Sequence, residues 1–172
     1  MTEFVKTVFE NCARPMVIDA DAINAAAEDV DMLKTIKHLS VITPHVMEMS
    51  RLTGFDIPYI KNNMVNCAKQ FAKKYNIIVV LKDARTVIAS PDGKVYINTT
   101  GNSSMAKGGS GDVLTGIISG LISQEMNVFD AAVLGAYIHG KCGEIASDRL
   151  TEYGVLASDI VNTIPEAIKT LL

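Results

Sequence analysis

The sequence is short of several features that mark particular classes of protein. Its 172 residues contain no tryptophan, only 6% aromatic residues, and three cysteines that lie far apart with no C-x-x-C pair. A disulfide framework is therefore not expected, and an N-terminus unlike a signal peptide adds to the prediction of a reducing, cytoplasmic setting. The continuously apolar run Ile77–Leu81 is far shorter than the roughly 20 residues that a membrane span requires.

The sequence also lacks a large excess of charge of either sign. There are 16 basic and 19 acidic side chains, which gives a net charge of −3. This balance offers no basic field for a phosphate backbone, so nucleic acid is not an expected partner. What is present is a hydrophobic fraction of 48%, enough for one globular domain over residues 1–172 that needs neither a metal nor a disulfide to fold.

Helical and strand-like patterns alternate along the chain. Compact apolar runs at 16–18, 41–43 and 77–81 predict buried strands, and the polar stretch 19–24 reads as the loop after the first. Between 86–89 and 94–97, the turn Ser90-Pro91-Asp92-Gly93 predicts a hairpin. Helical spacing occurs at 4–12, 29–39, 47–52, 57–75, 113–122, 128–150 and 158–172, the last broken at Pro165. The pattern predicts an α/β fold, with a mainly parallel sheet flanked by helices and one β-hairpin.

The glycine-rich segment 107–112 is the most informative stretch. It leads directly into an amphipathic helix, and glycines let a ligand approach the backbone where the first N–H groups of a helix lack partners. The segment is therefore expected to hold an anion. Lys107 precedes the glycines, which disfavours a P-loop. Asp112 fits either a helix cap or a catalytic carboxylate.

Residues 108–118 (GGSGDVLTGII) resemble the signature of the ribokinase-like superfamily. Further segments are similar to ADP- or ATP-dependent NAD(P)H-hydrate dehydratases, namely 18–24 (IDADAIN), 43–45 (TPH) with 48–49 (EM), 98–102 (NTTGN), 137–140 (YIHG) and 153–160 (YGVLASDI). The resemblance covers nearly the whole chain in the correct order. It implies the C-terminal part of a ribokinase-like fold.

The activity implied by this resemblance is the repair of hydrated NADH or NADPH, with ADP or ATP and Mg²⁺. Hydroxide is a poor leaving group, so phosphorylation of the hydroxyl makes its elimination feasible once a base has taken the hydroxyl proton. We expect Asp112 to be that base, beside an anion hole formed by the N–H groups of Gly109, Ser110 and Gly111.

The family positions also assign binding roles. The resemblance puts His45 and Asp112 on the hydrated nicotinamide. The adenine nucleotide is expected at Gly111 and at the segment Lys82, Asp83, Ala84, Arg85 and Thr86.

Several of these residues have structural alternatives. Lys82 fits a lysine reaching solvent from a strand end, and His45 fits a helix cap. Asp19 and Asp21 fit either turn formers or groups that face the substrate or Mg²⁺. His38 and His139 read as structural residues, because neither lies in a motif that requires imidazole.

The sequence departs from the family pattern at a few positions. Members usually have Pro-Gly at Val46-Met47, a glycine at Asp83 and a small residue at Lys107. The chain also begins at what corresponds to the middle of the usual domain, so substrate contacts are expected to be incomplete and apolar surface near Met16–Ile18 and the first helix to be bare. This predicts a homo-oligomer. The alternative functions are an ATP-dependent small-alcohol kinase and a non-catalytic nucleotide-binding or assembly module.

Overall fold

The fold is built on a mixed sheet of five strands in the order β1-β2-β3-β4-β5. The computed structural model describes residues 1–172. Strands β1 to β3 are parallel, whereas β4 and β5 form an antiparallel hairpin on β3, so the predicted α/β class and hairpin are confirmed. The strands are β1 Val17–Ile18, β2 Val41–Ile42, β3 Ile78–Leu81, β4 Val87–Ala89 and β5 Val95–Ile97.

Helices cover both faces of the sheet. Side chains alternate along β3, so that Val79 and Leu81 pack with α1, α2, α3 and α5, while Ile78 and Val80 pack with α6 and α7. None of the helices is long and apolar enough to cross a membrane. The helices are α1 Thr2–Asn11, α2 Asp21–Glu28, α3 Val46–Thr53, α4 Ile57–Asn62, α5 Met64–Tyr75, α6 Ser110–Ser123, α7 Val128–Gly154, α8 Ala157–Asn162 and α9 Ile164–Lys169, with 3₁₀ turns at Val30–Thr35 and Ser103–Met105.

The loop predicted over 19–24 is wrong from residue 21 onward. Helix α2 begins at Asp21, directly after Ala20, which has φ 52° and ψ −118°. That conformation is unfavourable for a residue with a Cβ. It turns the chain sharply between β1 and α2, so that Asp19 stays at the strand end while Ile23 enters the core.

Three predicted helices are also divided or replaced. The stretch 29–39 contains only a 3₁₀ turn, which lets the neighbouring side chains of Met32 and Leu33 both be buried. The stretch 57–75 is split at Asn63, whose φ of −132° interrupts the helix. In 158–172 the break falls at Thr163, and Pro165 lies in the first turn of α9, where its missing N–H costs no helical hydrogen bond.

Helix α7 holds the chain segment that follows the hairpin. Asn98 Nδ2 donates to the Ala136 carbonyl at 3.2 Å, and Thr100 Oγ1 donates to the Tyr137 carbonyl at 3.0 Å. Gly140 makes this contact possible, because a Cβ there would lie 2.7 Å from the Thr100 carbonyl carbon. The segment 98–105 is thereby fixed along α7.

Gly140→Ala should destabilise the protein by about 2 kcal/mol, because the added methyl group must displace backbone. Gly120→Ala is the matched control, since this helical glycine of α6 has open space around it. There the change should stabilise by about 0.5 to 1 kcal/mol through helix propensity. Urea unfolding of both variants measures the difference, and equal effects of the two substitutions would contradict the tight contact with Thr100.

Candidate functional site

A cleft of about 1160 Å³ opens where the parallel strands end and helix α6 begins. The carboxyl ends of β1, β2 and β3 lead to Asp19, His45 and Lys82 respectively, which is the usual position for a ligand in an open α/β sheet. All the residues that the sequence assigned to the site line this cleft: His45, the segment 82–86 and the segment 109–112. The structure thus brings together residues that lie up to 67 positions apart in the sequence, from His45 to Asp112.

An ion pair forms the floor of the cleft. Lys82 Nζ donates to Asp19 Oδ1 at 2.9 Å, and the side chains are only 22% and 12% exposed. Thr115 of α6 donates to the other oxygen, Asp19 Oδ2, at 3.1 Å. Burial raises the pKa of Asp19, but the hydrogen bond and the charge of Lys82 outweigh it, so this pKa is lowered. Lys82 therefore pairs with Asp19 instead of extending free into solvent, and Asp19 is not merely a turn former.

His45 combines a structural position with access to the cleft. Its Nδ1 accepts from the Glu48 backbone N–H at 3.1 Å, and Glu48 Oε2 accepts from the His45 backbone N–H at 2.8 Å. This is a reciprocal capping box at the start of α3, so the capping role that the sequence left open is present. The imidazole is nevertheless half exposed and lines the cleft. The two roles are compatible.

The start of α6 presents free backbone donors. The Ser110 N–H donates to the Lys107 carbonyl at 3.4 Å, whereas the N–H groups of Gly111 and Asp112 donate to no other residue. Gly111 also lies against the ion pair, since a Cβ there would be 3.4 Å from Asp19 Oδ2 and 3.5 Å from Lys82 Nζ. The end of a helix with free N–H groups attracts anions.

The Asp112 side chain does not cap α6. No side chain accepts a hydrogen bond at this helix start, and the Asp112 carboxylate forms neither a hydrogen bond nor an ion pair. It is exposed and lines the cleft. The capping interpretation is therefore not realised, and the Asp112 carboxylate is free in the cleft.

The charged side chains of the segment 82–86 pair with groups outside it. Asp83, the acidic residue that departs from the family pattern, lies 3.8 Å from Lys61, which also lines the cleft. Arg85 Nη1 donates to the Thr99 carbonyl at 2.8 Å. The negative charge of Asp83 is thus offset by Lys61, and Arg85 ties this segment to the opposite wall.

Lys107 and His139 are two further residues of the cleft wall. The Lys107 ammonium group donates to the Val155 carbonyl and so attaches the glycine-rich loop to the segment before α8. His139 is buried and its Nε2 lies 3.2 Å from Ser110 Oγ. The sequence predicted a structural role for His139, because it lies in no motif that requires imidazole. Its partner lies 29 residues away, so no local spacing signals the contact.

The comparisons with known proteins agree on one family. The NAD(P)H-hydrate dehydratase family model matches residues 1–166. The chain belongs to the NAD(P)H-hydrate dehydratase family. It is 43% identical, over 98% of its length, to a bifunctional NAD(P)H-hydrate repair enzyme of Moorella thermoacetica, and 36% identical, over 75%, to an ADP-dependent (S)-NAD(P)H-hydrate dehydratase of Bacillus subtilis.

Solved structures of the family share the fold. The ADP/ATP-dependent NAD(P)H-hydrate dehydratase of Bacillus subtilis, co-crystallised with ATP and Mg²⁺, superposes with a TM-score of 0.80 at 31% identity over 92% of this chain. A ribokinase-like superfamily protein of Enterococcus faecalis gives 0.82 at 29% identity over 98%. The chain spans 32% and 47% of the two curated relatives and 57% and 58% of the two solved chains.

Asp19→Asn should lower the free energy of unfolding by about 1 to 3 kcal/mol at pH 7, because Lys82 loses its partner in a partly buried position. A lowered pKa means that the stability from Asp19 is present above its ordinary value of 3.8 and is lost as the pH falls through the lower folded value. The deficit of the variant should therefore shrink in acid.

Asp31→Asn is the matched control for this measurement. Asp31 pairs with Lys34 at 2.8 Å, but the two side chains are 64% and 52% exposed, so solvent screening should make the cost of its removal small. Urea unfolding between pH 3 and pH 7 compares the variants. Equal losses for Asp19→Asn and Asp31→Asn would contradict a supporting role for the buried pair.

Proposed function

We propose that the chain carries out the nucleotide-dependent dehydration of hydrated NADH and NADPH, a cofactor-repair reaction. The match to the family over residues 1–166 carries the proposal, since that range contains every residue assigned above to catalysis and binding. The cleft supports it with an exposed carboxylate beside free backbone N–H groups. The use of nicotinamide cofactors and adenine nucleotide also supports the cytoplasmic setting expected from the cysteine pattern.

The first proposed step is a phosphoryl transfer. The Asp112 carboxylate takes the proton of the substrate hydroxyl, the oxygen bonds to the terminal phosphorus of ADP or ATP, and AMP or ADP leaves. Of the predicted anion hole, the N–H groups of Gly109 and Gly111 are free while that of Ser110 donates to Lys107, and the two free groups together with the N–H of Asp112 would stabilise negative charge on the transferring group. The phosphate ester then loses inorganic phosphate together with a ring proton, which restores the reduced nicotinamide.

The two ligands are proposed to share one cleft. The nucleotide would lie along the segment 82–86 and the start of α6, and the hydrated nicotinamide would lie near His45 and Asp112. Both groups line the same space of about 1160 Å³, a size that suits ligands larger than one small alcohol. A small-alcohol kinase would also place a nucleotide in this cleft, so the family match rather than the size of the cleft favours hydrated NADH or NADPH as the second ligand.

Magnesium is proposed to arrive with the nucleotide. The chain has no cluster of three acidic, histidine or cysteine side chains that could hold a metal ion. Mg²⁺ commonly binds through phosphates and water with few protein ligands, and it would supply charge neutralisation there. The protein's own part is the backbone donors at the start of α6.

We also propose that the chain forms a homo-oligomer. Strand β1 lies at the edge of the sheet, beside α1, whose Phe4 is 70% exposed. An apolar groove of about 350 Å³ lies between them, lined by Phe4, Val5, Val8, Phe9, Met16, Val17, Ile18 and Ala22. Surfaces of this kind are commonly covered by a second subunit, which supports self-association here.

Asp112→Asn should abolish dehydration while leaving ADP binding within about twofold, because an amide cannot accept the hydroxyl proton. The assay follows the absorbance of restored NADH from hydrated NADH with ADP or ATP and Mg²⁺, and calorimetry follows ADP. Asp130→Asn is the control, since Asp130 is exposed and occupies the corresponding first-turn position of α7, outside the cleft. It should keep full activity.

Three other results would contradict part of this proposal or favour an alternative function. Full activity of Asp112→Asn would show that another group is the base. Nucleotide binding by the wild type without any NADH formation would contradict the dehydratase proposal in favour of the non-catalytic module. Phosphorylation of a small alcohol in its place would favour the kinase.

Light scattering at micromolar concentration should give a mass of at least twice 18.5 kDa. Phe4→Ser should shift the protein toward the monomer, because it removes the most exposed side chain of the groove. Tyr153→Ser is the control, since Tyr153 is fully exposed but lies outside the groove. A wild type that remains monomeric and in solution would contradict the assembly proposal.

A further inference from the structure

A buried polar pair lies behind the start of α6. Ser110 is the first residue of that helix, and His139 projects from the middle of α7. Both residues are at least nine-tenths buried, and His139 Nε2 lies 3.2 Å from Ser110 Oγ. Both nevertheless line the cleft. A polar pair in this position must have a defined direction of hydrogen bonding, because neither group is solvated well enough to exchange partners freely.

The imidazole of this pair is neutral at physiological pH. Burial lowers the pKa of His139 to about 4, and the positive charge of Lys82 acts in the same direction. A neutral ring has one nitrogen that donates and one that accepts. The direction of the bond to Ser110 therefore depends on which nitrogen carries the proton.

The surroundings of Ser110 favour a proton on Nε2. The Ser110 hydroxyl carries one proton and lines the cleft at the start of α6, where a helix end attracts anions. When that proton points toward an anion, only oxygen lone pairs face His139 Nε2 at 3.2 Å. A ring N–H is attracted to these lone pairs, whereas a bare nitrogen would oppose them.

We propose that His139 is a positioning residue whose Nε2–H donates to Ser110 Oγ, so that the Ser110 hydroxyl proton is free to donate to a phosphate oxygen bound at the start of α6. This inference rests on the proposed function for the presence of a phosphate there. The Ser110 side chain thereby adds a hydroxyl donor to the free N–H groups of Gly111 and Asp112. With the opposite tautomer, Ser110 would donate to the ring and present only lone pairs to an anion.

Nitrogen-15 NMR of the free protein tests the tautomer directly. The chain has only three histidines, so a spectrum of the His139→Gln variant assigns the His139 signals by their absence. At pH 7 the wild type should show a protonated Nε2 and an unprotonated Nδ1 on His139. The reverse pattern would overturn the inference without reference to nucleotide binding.

Binding of ADP and of inorganic pyrophosphate tests the consequence. Ser110→Ala and His139→Leu should each weaken both ligands by about fivefold to tenfold, the effect of one hydrogen bond. The double variant should be no weaker than Ser110→Ala alone, because His139 acts through Ser110. His139→Gln retains an N–H donor and should bind within about twofold of the wild type.

Ser104→Ala is the matched control for lost packing. Ser104 is also buried, and its hydroxyl donates to the Gly143 carbonyl of α7 at 3.4 Å, but it does not line the cleft. It should lower thermal stability without changing either affinity. Wild-type affinity in His139→Leu, or a loss of affinity in Ser104→Ala equal to that in Ser110→Ala, would overturn the inference.

Comparing ADP with pyrophosphate distinguishes a failure of this inference from a failure of the proposed function. A wild type that binds pyrophosphate but not ADP contradicts the proposed nucleotide site alone, and the variants are then compared on pyrophosphate. A wild type that binds neither anion contradicts both proposals. ADP binding with the expected losses, but without NADH formation, supports the His139 inference while the dehydratase reaction fails.

Discussion

The arrangement of the cleft depends on the contact of Asp19 with Lys82 and Thr115. One carboxylate joins the ends of β1 and β3 to helix α6, since Lys82 binds one oxygen at 2.9 Å and Thr115 binds the other at 3.1 Å. Electrostatic attraction is stronger in this partly buried position than in water, which favours a single geometry. The strained backbone of Ala20 belongs to the same arrangement, because it turns the chain away immediately after Asp19.

The opposite wall of the cleft depends on α7 in a different way. Carbonyl groups of α7 accept hydrogen bonds from the segment 98–105, and small residues of the helix leave space for that segment. Glu144 accepts a hydrogen bond from the backbone N–H of Gly101 at 2.8 Å. A hydrogen bond to a helix carbonyl needs close approach, which Gly140 permits at Thr100. The wall is thus positioned by packing against a long helix, whereas the floor is positioned by charge.

Local patterns were sufficient to predict the strands, the hairpin and the glycine-rich start of α6, because apolar periodicity and turn residues act over a few positions. They failed at α2, since the positive φ before it falls on Ala20, where a glycine would have signalled the turn. The Asp19–Lys82 and Ser110–His139 contacts join residues 63 and 29 positions apart. Such contacts are set by tertiary packing, which no spacing in the sequence records.

The charges of the cleft explain why oriented neutral donors matter there. Lys82 is paired with Asp19 and Lys61 with Asp83, so two of the cations that line the cleft are already offset. Arg85 and Lys107 bind carbonyl oxygens and keep their charge, but each is held by the wall to which it donates. In the proposed site, the groups that would face an anion at the start of α6 are therefore backbone N–H dipoles and a hydroxyl. Dipoles that are fixed before the ligand arrives need no reorganisation when charge develops on a transferring phosphoryl group. Because they are already in place, such dipoles stabilise the transition state more than the ground state.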